Sequence, residues 1–275
     1  MSAALAQRPY LAVCATRFAL LLQYRTAAFA GFVTQCWWGV IKIMVFAAFF
    51  KSAPHQPMTL EQTITYVWLQ QAFLAVLPWN VDAELVQMVE TGNVGYERIR
   101  PIDTYSYWFA RETAWRSAAP LLRCVPMFAL AAVLLPLIGL GAWSWRLPPS
   151  ALALALFAIS MALAVLLSAA ITVLMNILTV ALRTSRGTGV VAGVVNAFSG
   201  MIVPLALLPA ALQPFLFFQP FAGLVDIPYR IYFANLSGAA ALWGLFAQAM
   251  WVVILVLIGR ASLVRVMARI DMQGG

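Results

Sequence analysis

One histidine, three cysteines and nine acidic residues in 275 leave little material for site chemistry. His55 has no second imidazole to share a metal with, and it sits in a short loop beside Pro54 and Pro57. Cys14, Cys36 and Cys124 form no CxxC pair, so they are read as small apolar residues without a disulfide framework or metal site. The chain has no GxxxxGK[ST] phosphate loop, no HExxH and no GxSxG, which excludes ATP binding in that manner and leaves an enzyme reading with nothing to carry it. It also lacks an intramembrane pair of acids for proton coupling. No cleavable signal is expected either, because Arg17 interrupts the first apolar stretch too early.

Apolar residues fill the space that charge vacates. At 64% hydrophobic, 9% charged and a mean hydropathy of +0.89, the chain departs far from a soluble domain, where about a quarter of residues are charged. The composition predicts an all-α, polytopic membrane protein forming one transmembrane domain over 1–275. A helix needs about 20 apolar residues to cross a bilayer core. Six stretches qualify: 27–50, 60–77, 118–140, 151–181, 190–208 and 239–258. Residues 10–25 place Leu11, Cys14, Phe18, Leu21 and Leu22 on one stripe, the pattern of a helix lying in the interface before the first span. Residues 209–237 are apolar but broken by Pro209, Pro214, Pro220 and Pro228, which predicts an outer re-entrant segment between spans five and six. There Asp226 and Arg230, four apart, read as a solvated surface pair.

Basic residues orient the spans. Arg8, Arg17, Arg25, Arg98, Arg100, Arg111, Arg116, Arg123, Arg183, Arg186, Arg260, Arg265 and Arg269 fall on one side, against Lys51, Arg146 and Arg230 on the other. Excess positive charge marks the cytoplasmic face and anionic lipid headgroups, so both termini are expected in the cytoplasm and no nucleic-acid partner is implied.

One polar stretch interrupts the apolar sequence. Residues 81–117 hold Asp82, Glu84, Glu90, Glu97, Asp103 and Glu112 together with Arg98, Arg100, Arg111 and Arg116. Tyr96, Tyr105, Tyr107, Trp108 and Trp115 lie among them, either as anchors for a partner's groove or as aromatics of the bilayer edge. Gly92 and Gly95 permit a sharp turn, and Pro101 starts or stops a helix. A multi-span protein without an energy-converting group either acts passively or borrows a soluble motor, and this stretch offers the docking point. A non-transporting scaffold that recruits a soluble partner remains the alternative. Within the spans, Lys42 is costly unless it faces a partner or cavity or snorkels outward, while Gln70, Asn196 and Ser199 need hydrogen-bond partners. With Trp38 they mark a candidate substrate path. Gly189, Gly193 and Gly200 would let helix backbones approach closely, within the chain or between subunits.

Three sets of residues resemble one family. Glu90-Thr91-Gly92 followed by Arg100-Pro101-Ile102 is similar to the "G…RP" signature after the second span in membrane subunits of type-2 ABC exporters, in their bacterial single-domain, six-span branch. Ser199-Gly200, Pro204-Leu205, Pro209, Pro220-Phe221 and Ile227-Pro228 resemble that branch's outer punctuation, and Gln273-Gly274-Gly275 its terminus. The resemblance implies a permease in a bacterial inner membrane, paired with a second permease (identical or homologous) and two ATP-binding cassette subunits that bind ATP and Mg. It also implies that the segment between spans two and three is a coupling helix, a role falling on Gly92, Arg100 and Pro101 and extending to Tyr96, Arg98 and Asp103. Tryptophans at 37, 38, 68 and 79 would suit efflux of amphiphilic or aromatic cations.

Overall fold

A computed structural model describes residues 3–21, 23, 25–52 and 56–269. His55 and the terminal residues Gln273–Gly275 lie outside these. The described residues form ten helices joined by 3-10 turns, and no strand occurs among them. Four helices are long and apolar enough to cross a membrane. They are α2 (Arg25–Ser52), α5 (Thr104–Leu137), α6 (Ala151–Leu182) and α10 (Gly238–Met267). Their outward faces are lined by large apolar side chains such as Val45, Val125, Leu152 and Leu257, as lipid-facing helices require.

The other two expected spans are shorter. α3 (Leu60–Ala72) opens with a capping box, Thr59 and Gln62 bonding each other's backbone amides, and then tightens into a 3-10 turn before Pro78. α7 (Thr188–Ser199) stops at Gly200, whose φ of 91° is a left-handed helix end. At 1.5 Å per residue these are only about 18–20 Å long. α5 departs from expectation in the other direction. It begins at Thr104, so residues 104–117 of the polar stretch are its first turns.

Two prolines and a widened turn shape α5. Pro120 and Pro126 remove intrahelical donors, and Ala129–Leu134 relaxes into a π-helix. Pro136 has no N–H to return to the Ala131 carbonyl, and the Trp145 amide fills that place at 2.8 Å after the chain folds back. The Trp145 indole then donates to Tyr232 Oη at 2.8 Å.

α6 is the central post. Ser150 caps its first turn, accepting from the Ala153 amide at 3.1 Å. α10 runs along it, and Ser160 and Gln248 exchange hydrogen bonds of 2.8 and 3.0 Å between them. α1 (Ala3–Leu21) extends beyond the expected 10–25 at its start and packs along α5. Residues 204–237 fold into short helices, α8 (Gln213–Phe218) and α9 (Asp226–Tyr232), with 3-10 turns between. α9 is buried against α6, and Tyr229 reaches the Leu69 carbonyl at 3.0 Å. The Asp226–Arg230 pair is therefore no solvated face: Asp226 is 1% exposed and one of its oxygens has no partner.

Candidate functional site

The polar stretch builds a platform at one end of the bundle, hereafter the charged end. α4 (Ala83–Glu90) begins on Asp82, whose carboxylate accepts from the Glu84 amide at 2.9 Å. It ends at Gly92, where φ of 75° turns the chain back as only glycine does without strain. A 3-10 stretch, Asn93–Ile99, follows, and Asp103 caps α5 by accepting from the Ser106 amide at 2.9 Å. The tip of this excursion is open: Thr91, Gly92, Asn93, Arg100 and Pro101 are exposed, and Tyr96 is 61% exposed.

Aromatics of the stretch divide by position. Tyr105 and Trp108, expected among the docking anchors, are buried in a small apolar cluster with Leu85, Val94, Val173, Ile177 and Leu263. Their periodicity belongs to α5, which turns them inward. The Trp108 indole donates to Glu97 at 3.0 Å, and Glu97 in turn pairs with Arg100 at 3.1 Å. Arg100 also lies over the Tyr107 ring, 4.8 Å from its centroid. Asp103 faces Arg260 at 3.2 Å, and its amide donates to Tyr10 Oη at 3.1 Å. The Arg98 side chain lies outside the described residues.

Beneath the tip runs a continuous chain of charged and polar groups. Arg17 of α1 holds Glu84 in two hydrogen bonds of 2.6 and 2.7 Å. Arg111 of α5 pairs with Glu84 at 3.0 Å and with Asp82. Asn176 of α6 accepts from the Asp82 amide at 3.1 Å and donates to Glu112 at 3.2 Å. Glu112 pairs with Arg116, which also donates to Ser168 at 2.8 Å and to Thr172. Ser168 donates to the Val76 carbonyl at the end of α3. Three carboxylates thus meet three guanidiniums, and the chain joins α1, α4, α5, α6 and the α3 terminus. Hydrogen bonding from Arg17 holds the Glu84 carboxyl below its ordinary range, and that bond to Glu84 raises Arg17. Burial pushes Asp103 upward, but hydrogen bonds from Ser106 and the charge of Arg260 outweigh it and leave the carboxyl lowered.

A second polar node sits farther into the bundle. Lys42 donates to Gln70 at 3.1 Å and to the Met201 carbonyl at 2.9 Å. Gln70 and Tyr66 both donate to the Gly200 carbonyl, at 2.8 and 3.2 Å. The lysine therefore caps the broken end of α7, where carbonyls lack intrahelical partners. Asn196 and Ser199 serve the same helix end from within it. Asn196 donates to the Ala192 carbonyl at 2.8 Å, and Ser199 donates to the Asn196 carbonyl and accepts from the Met201 amide, both at 3.2 Å. Of the expected path residues, Lys42 and Gln70 are in contact, Asn196 and Ser199 flank their target, and Trp38 stands one turn before Lys42, 53% exposed.

Sequence reasoning missed Tyr66 and most of the buried network. The signal was present in α6, where Ser168, Thr172 and Asn176 recur every four residues and so share one stripe. A family model described as ABC-2 family transporter protein matches residues 36–274. No curated protein and no solved structure matches the chain.

Proposed function

The chain belongs to the ABC-2 family of transporters, and from that premise we propose that it is the permease of an ATP-driven exporter whose charged end receives the motor. Members of this family are the membrane component of the transporter and work with separate ATP-binding subunits. In this reading the charged end faces the cytoplasm of a bacterial cell, the protein resides in the inner membrane, and a second permease, identical or homologous, completes the path. Two cassette subunits bind ATP and Mg and dock on Gly92, Tyr96, Arg100 and Pro101.

The observation that carries the reading is the contrast between an open tip and the locked base beneath it. A push on a tip mounted on flexible loops would dissipate in the loops. Here the force enters α4 and passes through Asp82, Arg111, Asn176, Glu112 and Arg116 into α5 and α6 together. Those two helices then move as a body, which is the rigid-element displacement that switches access in transporters. The resistance of the base comes from buried, mutually compensated charge, which is strongly destabilised when one member is removed.

Reconstituted with its cassette subunits, the complex tests this directly. Tyr96→Ala and Arg100→Gln are expected to lower subunit association and transport-linked ATP turnover, and Tyr96→Ala, whose ring is exposed, should do so while the permease melts as before. Unchanged association in both variants would refute docking at the tip. In this reading the path passes the Lys42 node, whose positive charge, bonded only to neutral oxygens, disfavours the cationic substrates that the tryptophans suggest. A survey of ATPase stimulation with matched cationic and anionic amphiphiles separates the two.

A further inference from the structure

Among the described residues, arginines that are not exposed almost all have a carboxylate: Arg17 with Glu84, Arg111 with Asp82, Arg116 with Glu112 and Arg230 with Asp226. Arg123 is the exception. It lies seven residues beyond Arg116 on α5, about 10 Å further into the apolar part of that helix. Among the described residues it makes no ion pair, hydrogen bond or ring contact, and it is neither buried nor fully exposed. Its guanidinium is pressed against α2 at Gly31, where an added Cβ would come within 3.2 Å of it. The glycine leaves the space in which the arginine rests. One turn farther along the same side of α2, the partly exposed Gln35 also has no hydrogen-bond partner among the described residues. Trp115, a little over two turns earlier on α5, is 53% exposed, where an aromatic anchors at the bilayer edge.

A guanidinium at this depth is costly without an anion, and the described residues offer it none. Water reaches poorly into a cleft between two lipid-facing helices. The group within reach is the phosphate of a phospholipid, and a planar guanidinium with five donors binds phosphate through paired hydrogen bonds. We propose that the α2–α5 cleft at Gly31, Gln35 and Arg123 is a binding site for the phosphate of a phospholipid from the leaflet at the charged end. Arg123 neutralises the headgroup, the Gln35 amide donates alongside, and the acyl chains continue along the apolar faces of α2 and α5. Basic clefts between membrane helices hold anionic headgroups by the same balance of charge and exclusion of water. The proposal goes beyond the transport reading and does not depend on export direction or on the cassette subunits.

The test uses the full-length permease purified in detergent and stripped of lipid, titrated with short-chain phosphatidylglycerol and followed by native mass spectrometry. Arg123→Gln should weaken binding roughly five- to tenfold, and Arg123→Lys should recover part of it. Gly31→Val, with Arg123 intact, should also weaken binding by displacing the guanidinium. Inorganic phosphate should compete poorly, because it brings no acyl chains. Equal binding by the wild type and Arg123→Gln would overturn the site, and equally strong competition by inorganic phosphate would overturn the lipid as its occupant. The thermal midpoint of each variant without lipid separates lost binding from lost folding.

Discussion

Two buried polar regions of this molecule contrast in how their charge is settled. Around Arg116 every guanidinium meets a carboxylate, and Asn176, Ser168 and Thr172 take up remaining donors and acceptors. Around Lys42 one ammonium meets only neutral oxygens, those of Gln70 and Met201, and no carboxylate lies within ion-pair distance of it among the described residues. Balanced charge in a low-dielectric interior is structural, because every member suffers when one leaves. An unbalanced lysine bound to a helix end is held more weakly. Its contacts can be exchanged for others at smaller cost, so the first region is built to hold its shape and the second to give way.

Substitutions test that division, the most damaging first. Arg116→Met should strand Glu112 in the interior and cost about 3–5 kcal/mol, visible as loss of a monodisperse species in detergent. The double variant Arg116→Met/Glu112→Leu should recover more than half of that loss. If the single variant melts like the wild type, the base is not the rigid element described. Gly200→Ala should cost about 1–3 kcal/mol, since φ of 91° strains any side chain and the added carbon would come within 2.6 Å of the Tyr66 hydroxyl. Melting of this variant reports how firmly the break in α7 is built.

Lys42→Met sharpens the comparison from the other side. It should shift the melting midpoint by no more than a few degrees, because a net hydrogen bond is worth about 1 kcal/mol, yet alter transport and substrate-stimulated ATP turnover. Loss of fold equal to that of Arg116→Met would erase the distinction between the two regions. The smallest effect should come from pH. Glu84 is held below its ordinary range in the folded chain, so its contribution is complete above the unfolded value and fades as pH falls through the folded one. As pH falls below the ordinary glutamate range the α1–α4 contact should loosen, and limited proteolysis should cut near α1 faster. Glu84→Gln should remove most of that acid sensitivity.

Much of the architecture was legible because apolar length is a direct physical requirement of a membrane helix. The spans at 27–50 and 151–181 appear within two residues of their helices, and the one at 239–258 starts with its helix, which then runs nine residues further to Met267. The shorter α3 and α7 were not legible in that way: apolar composition continues past Ala72 and Ser199, while the helix itself is ended by 3-10 tightening and by Gly200. The start of α5 was obscured for the opposite reason. Charged residues between Thr104 and Ser117 look like loop by composition, but on a helix they turn inward, Arg111 to Asp82 and Glu84 and Glu112 to Arg116. At the site, Gly92, Tyr96, Arg100 and Pro101 form the exposed tip that turn chemistry suggested. The buried fate of Trp108 and Asp226 depended on tertiary partners distant in sequence. Trp108 is enclosed by Val173 and Leu263, and Asp226 by the Gly200 turn.

The length of α5 has a mechanical corollary. A helix of 34 residues is about 51 Å long, with Asp103 and its cap at one extremity and the loop leading to Trp145 at the other. Tilting such a rod by about ten degrees about its Asp103 extremity would sweep the distant one through roughly 9 Å. A slight tilt at the Asp103 end is thereby geared up into a large displacement at the far end, and the prolines with the widened turn mark where the rod can bend.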